Sequence, residues 1–241
     1  MTPRVSRSFR PPVAATVALL LLTLLFASLG TWQTRRAAEK AMLEAAHEQA
    51  PSLALDTALA NDQRFARIEV SGRYDPQRHI LLDNQLWQGR SGVHVFTPFS
   101  TSGGITILVN RGWLPLPADR KSLPEIPTPG HEITISGRLN LMPVPGRMVG
   151  EADTLAMDDW PQLVTYMQHA DIARALTLPL ETRIIQLSRD AESGFEDRDW
   201  KPVFLSPERH RAYAFQWYAL MAAAIVLWLL TGFRNTEGHK R

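Results

Sequence analysis

Two stretches without a single charged residue limit what this chain can fold into more than any other feature. Val13 to Gly30 reads VAATVALLLLTLLFASLG, 18 residues, and Tyr213 to Phe233 reads YAFQWYALMAAAIVLWLLTGF, 21 residues. At about 1.5 Å per helical residue, each is long enough to cross a hydrocarbon layer of roughly 30 Å. The Leu-rich first run inserts readily, and the second offsets Gln216 with Ile225, Val226, Leu227, Leu229 and Leu230. The mean hydropathy of −0.15 hides both, because a long polar middle dilutes them. A cleaved signal peptide is the rival reading of the first run. That run exceeds the usual signal core of about 7 to 15 residues, and no A-x-A site follows it. A retained anchor is expected.

Charge sets the orientation. The N-terminal tail carries Arg4, Arg7 and Arg10 with no acid, and the C-terminal tail carries Arg234, Lys240 and Arg241 against Glu237. The chain totals +2, so residues 31–212 carry −3. The pI of about 9.1 therefore gives no reason to expect nucleic acid as a partner. Short basic tails beside two spans predict that both termini are cytoplasmic. Arg35, Arg36 and Lys40 after the first span, and Arg198, Lys201, Arg209 and Arg211 before the second, point the other way, but long loops translocate largely regardless of charge. The expected order is a cytoplasmic tail (1–12), a first transmembrane helix (13–31), a periplasmic domain (32–212), a second transmembrane helix (213–233) and a cytoplasmic tail (234–241), set in the cell inner membrane with the lipid bilayer as one partner. Cysteine is absent, which removes disulfides, thiolate metal sites and cysteine nucleophiles together.

The middle is long enough for one domain with a core of its own. Thr31 to Ala50 is rich in Ala, Glu, Lys, Arg and Met with no Gly or Pro, so the first helix is expected to run on out of the membrane and stop before Pro51. The pattern then changes to period two. FARIEVSGRYD, HILLDNQLW, GVHVFTPFS and GITILVNRGWLP are short, branched or aromatic, and closed by turn residues. Five prolines between Leu114 and Gly130 mark a loop; HEITISGRLNLM and TRIIQLSRD read as further strands, and ADIARALT as a short helix. IEVSGRY (68–74) and ITISGRL (133–139) are similar heptads, read as two strands ending in the same turn chemistry. The expected fold class is an α+β membrane protein: two transmembrane helices flanking one β-rich periplasmic domain, its strands forming an antiparallel sheet or partly closed barrel.

No catalytic signature stands out. There is no G-x-S-x-G, H-E-x-x-H or P-loop, and His47, His79, His94, His131 and His169 are scattered singly without chelating spacing. The acids at 158–159 and 196–199 read as solvated loops, and the chain is not expected to be an enzyme. Arg111, in VNRGW, has two readings: it reaches a partner, or it ties the strand end. The stretch ERHRAYAFQWYAL (208–220) carries more. On a helix, His210, Tyr213, Ala214, Trp217, Met221, Ala224 and Trp228 share one face. Imidazole is a common iron ligand, and haem propionates at that depth would meet Arg209 or Arg211. The same face also suits a plain interfacial aromatic belt or another helix.

LGTWQTRRAAEK, SGRYDPQRHILLDNQ with GVHVFTPF, LVNRGWLP and the closing ERHRAYAFQWYAL resemble, in order, the signature segments of the Surfeit locus protein 1 family of cytochrome c oxidase assembly factors. The resemblance implies a two-span protein that assists maturation of the oxidase catalytic subunit or its assembly intermediates. For bacterial members it implies haem a bound through a histidine at the second span. His210 matches that position as the axial ligand to the haem iron, with Tyr213 and Trp217 in register and Arg209 and Arg211 beside it. Arg209 stands where asparagine is common in the family, and Gln216 where threonine is common. Trp32, Gln33 and Arg36, together with Arg111 and Trp113, are the residues expected to meet the partner.

Overall fold

The structure is a computed structural model that describes residues 6–117, 122–144, 155–202 and 205–236. In chain order its elements are β1 (Ser6–Phe9), α1 (Val13–Glu48), α2 (Leu55–Ala60), β2 (Arg67–Tyr74), β3 (Ile80–Trp87), β4 (Arg90–Thr101), β5 (Thr106–Pro115), β6 (Ile133–Leu141), β7 (Gln162–Val164), α3 (His169–Leu176), β8 (Leu180–Leu187), α4 (Pro207–Gly232) and β9 (Phe233–Thr236). They form two units, Met1–Ala45 with Pro202–Arg241, and Ala46–Lys201. This is the expected α+β architecture, a β-rich domain flanked by two helices long and apolar enough to cross a membrane.

In the first unit, the apolar run and the Ala/Glu/Lys-rich stretch after it are one helix, α1, which ends before Pro51. α4 starts ahead of the uncharged run. Ser206 is extended at the N-cap, Pro207 opens the helix and Glu208 lies in its first turn, each a residue that suits a helix N-terminus. His210 is consequently helical, in line with the face it is expected to share with Tyr213 and Trp217, and the helix starts six residues before the uncharged run at Tyr213. The helices meet along two stripes with the 3.5-residue period of a coiled coil. Thr16, Leu19, Thr23, Phe26, Gly30, Gln33 and Ala37 of α1 are buried or half-buried, as are His210, Ala214, Trp217, Met221, Ala224 and Trp228 of α4. Trp228 Nε1 donates to Thr16 Oγ1 at 3.1 Å, and the rings of Trp217 and Phe26 stack at 5.9 Å. The pairing is therefore antiparallel. Leu20, Leu21, Leu24, Leu220, Leu227 and Leu230 point away from the seam and are exposed, an apolar surface too extensive for water but suited to lipid. At the far end β1 and β9 pair as an antiparallel ribbon, an element absent from the sequence reading, in which the tails only supplied charge. Arg4, Glu237, Lys240 and Arg241 lie outside the described residues.

In the second unit β2 bonds to both β6 and β4, so the order β2-β6-β8-β5-β4 closes on itself as a barrel, and β3 and β7 extend it beyond β4. All the strands read from sequence are present. The sheet is mixed rather than antiparallel, because β5 pairs with β8, and β3 with β7, in parallel. Parallel neighbours need long crossover connections, and α3 lies in the one that leads into β8. β5 is buried along most of its length. Ile107 and Val109 join Tyr74, Phe99, Ile135, Leu139, Ile185 and Leu187 in one core, with Leu55 and Ala58 of α2 against it. Leu108, of opposite parity, joins Ile80, Phe96 and Ile184 in a second core with Ile172 and Leu176 of α3. The similar heptads are neighbours: Gly72 of β2 faces Ile133, and Gly137 of β6 faces Ile68. Their glycines mark strand crossings, not turns. A Cβ at Gly72 would lie 2.3 Å from the Ser100 carbonyl oxygen on β4, and one at Gly137 2.6 Å from that of Gln186 on β8. Part of the proline-rich loop (118–121) and residues 145–154 lie outside the described residues.

Candidate functional site

His210 sits one turn into α4 and is only 7% exposed. Its Nδ1 lies 2.7 Å from Oε1 of Gln33 on α1. An amide oxygen only accepts, so Nδ1 is the donor in this contact, and in the neutral ring that leaves the lone pair on Nε2. The seam explains why these two side chains meet. Gly30 lets the helices approach, since a Cβ there would lie 2.6 Å from Cε1 of Tyr218. The Tyr218 hydroxyl is 3.5 Å from Thr31 Oγ1. From Thr16 to Gln33 the rise along α1 is about 25 Å, close to a hydrocarbon thickness of roughly 30 Å. The two polar pairs, Thr16–Trp228 and Gln33–His210, thus close opposite ends of an apolar seam.

The other residues expected around His210 divide into two groups. Arg209 and Arg211 are exposed on the same turn, Arg211 paired with Glu208 at 3.2 Å. Tyr213 is 46% exposed. Trp217 is already in use, stacked on Phe26 within the seam. Of the residues assigned to a partner, Trp32 is 49% exposed, with the Arg36 guanidinium 6.0 Å from its ring centre and Arg36 bonded to Glu39 at 2.8 Å. Gln33 is turned inward to His210. Sequence spacing placed it one residue from an interfacial tryptophan but could not reveal a contact across 177 positions.

Arg111 and Trp113 are built into the barrel unit. Arg111 is 1% exposed. Its Nε donates to the Ser193 carbonyl, Nη1 to Thr128 Oγ1 and Nη2 to the Pro127 carbonyl, each at 2.7 Å, and its guanidinium lies 4.9 and 4.7 Å from the ring centres of Tyr74 and Phe195. Burial pulls its pKa down to about 10. Of the two readings of Arg111, tying the strand end is the one this geometry describes. Trp113 is fully buried, and its Nε1 donates to the Gln85 carbonyl at 2.9 Å. Between them Gly112 adopts φ +108, where a Cβ would lie 2.4 Å from the Glu196 carbonyl oxygen. The segment from Ser193 to Trp200, which contains the acids at 196–199 expected to lie in a solvated loop, clamps the end of β5. Trp113 and Glu196 exchange backbone hydrogen bonds, and Arg198 donates to the carbonyls of Phe195, Ser188 and Ala191.

Two of the scattered histidines are polar links inside the barrel unit, His79 buried and His94 half-buried. His79 Nδ1 is 2.9 Å from Thr97 Oγ1; His94 Nδ1 accepts from Asn110 Nδ2 at 3.2 Å, and its Nε2 is 3.8 Å from Asp197. Burial lowers both pKa values, opposed at His79 by the Pro76 carbonyl and at His94 by Asp197. Unfolded, they titrate at about 6.5, so as pH falls through that value the unfolded chain takes up protons that the native chain refuses. Stability is expected to fall below about pH 6.5, with each histidine contributing up to about 1.4 kcal/mol per pH unit. Thermal melts of the detergent-solubilised chain between pH 7.5 and 5 test this, and His94→Gln should flatten the profile. Among the described residues no group of three or more His, Asp or Glu side chains is placed to hold a metal ion.

A model described as the SURF1 family matches residues 20–222, most of the chain. The chain belongs to the SURF1 family. It is 27% identical to Surfeit locus protein 1 of Xenopus tropicalis over 231 residues, covering 87% of this chain and 73% of that one. It is 26% identical to the mouse (Mus musculus) protein of the same name over 243 residues, covering 90% and 76%. A SURF1-like protein of Rickettsia felis is 33% identical over 101 residues, covering 40% and 44%. The SURF1 match begins inside α1 and ends inside α4, so it takes in both halves of the seam from Phe26 to Gln33 and from His210 to Trp217. The first and last signature segments of this SURF1 chain, far apart in sequence, come together at the Gln33–His210 contact.

Proposed function

We propose that this SURF1-family protein is a membrane-anchored assembly factor for cytochrome c oxidase that handles haem a on its way into the catalytic subunit, with His210 as axial ligand to the iron. The observation that carries the reading is the Gln33–His210 hydrogen bond. Histidines that bind metals nearly always donate their second ring N–H to a carbonyl or carboxylate, which fixes the tautomer and the ring plane. Gln33 Oε1 has that place here, so the residues present fit an imidazole ligand. Exposed Arg209 and Arg211 on the same turn supply donors for propionates at the membrane surface. Tyr213 has open surface for contact with a flat apolar ring, whereas Trp217 serves the seam first. Haem would supply the iron chemistry; His210 would supply the ligand nitrogen, Gln33 its orientation, and Arg209 and Arg211 the charge at the rim. Such a protein holds and releases its cargo and is not an enzyme.

The proposed location is the cell inner membrane, with both termini cytoplasmic and the barrel periplasmic. Reporter fusions after Arg10 and after Gly238 should be cytoplasmic and one near Gly130 exported; an exported C-terminal reporter would reverse the orientation. A second reading is favoured by the stacking of Trp217 on Phe26, since the aromatic face is filled by the chain itself. In that reading the protein holds an oxidase subunit without binding haem. An absorption spectrum of detergent-purified protein from cells that make haem a separates the two. A Soret band that copurifies with the protein is expected, and its absence would leave the structural reading.

A further inference from the structure

We infer that Gln33 is a positioning residue for His210, holding the imidazole as its Nδ1–H tautomer so that Nε2 is the nitrogen offered to a ligand. The contact is 2.7 Å long and joins two helices. Gln33 lies on the buried stripe of α1 between Gly30 and Ala37, the two buried residues of that helix. Its side chain therefore enters the seam where the backbones are close. Oε1 can only accept, so the imidazole must donate through Nδ1. A histidine 7% exposed has little water to satisfy an Nδ1–H by other means, and an unpaired buried donor is unfavourable. With Gln33 present, the proton is on the seam side and the Nε2 lone pair is kept. Without it, the proton is free to move to Nε2 and block coordination there.

A plain helix-packing role for Gln33 makes a different prediction, and the other polar seam contact, Trp228 Nε1 to Thr16 Oγ1, supplies the comparison. Gln33→Met keeps volume and removes the acceptor; Thr16→Val removes an acceptor at the opposite end without touching the imidazole. Both are made in the full chain, which is labelled with 15N-histidine and purified in detergent. The ligand-free wild type should show His210 with Nδ1 protonated and Nε2 unprotonated, Gln33→Met should shift toward the Nε2–H form, and Thr16→Val should match wild type. In cells that make haem a, Gln33→Met should retain about tenfold less haem, the lower range for loss of a group that orients a metal ligand, while Thr16→Val retains the wild-type amount. Unchanged ring-nitrogen signals in Gln33→Met would overturn the inference, as would equal haem loss in Thr16→Val. The retention assay rests on the haem reading above; if the wild type carries no haem, that reading fails, and the ring-nitrogen signals still decide the role of Gln33.

Discussion

Replacing Arg111 by Ala is expected to remove about 3–5 kcal/mol from the stability of the barrel unit, a large share of the roughly 5–15 kcal/mol that holds a domain folded. The guanidinium is buried between Tyr74 and Phe195 and bonds Ser193, Thr128 and Pro127. Truncation leaves those acceptors without their donor, at about 1–3 kcal/mol for each that stays dry, and opens a cavity where the side chain was. Three segments lose their common anchor: the end of β5, the proline-rich loop and the clamp beginning at Ser193. Arg111→Lys should recover only part of the loss, because a compact ammonium cannot reproduce a planar fork reaching three acceptors. A thermal melt of the purified chain should move down by about 10 °C, and steady-state protein in cells should fall with it. Normal abundance and an unchanged melt, with oxidase activity alone lost, would show instead that Arg111 acts on a partner.

The strands and spans were legible because each is a local pattern. Uncharged runs, period-two alternation from Arg67 to Pro115, and a glycine- and proline-free stretch from Thr31 to Ala50 each name their element without reference to anything distant. What closes the barrel was not legible. Gly72 and Gly137 look like turn residues until β4 and β8 are seen passing over them, and β7 is three residues long, too short for alternation to register. The site was half legible. His210, Tyr213 and Trp217 share a helical face by spacing alone, but spacing does not say what covers that face. The matching stripe on α1 was present in the sequence as Thr16, Thr23, Phe26, Gly30 and Gln33, at heptad intervals inside a run whose leucines conceal the pattern. Arg111 stood on a strand recognised from sequence. Its acceptors come from loops 16 to 82 residues away; two are backbone carbonyls, which leave no mark in a sequence, and the third is a single threonine hydroxyl.

The reading of the seam as a haem-handling site depends on one side chain. His210→Ala removes the proposed ligand nitrogen while leaving Tyr213 to Phe233 uncharged and long enough to span, so insertion should be unaffected. Trp217→Ala should weaken haem retention less than loss of the ligand does, and it should also loosen the pairing with α1, because its stacking partner is Phe26. His169→Ala, in the barrel unit where Nε2 bonds the Leu180 carbonyl at 2.8 Å, should leave haem retention at the wild-type level. The deciding measurement is the Soret absorbance per protein of His210→Ala, purified in detergent from cells that make haem a, beside wild type and His169→Ala. A band is expected in wild type and His169→Ala, and its loss in His210→Ala; a full, unshifted Soret band in His210→Ala would contradict the assignment of His210 as the haem ligand.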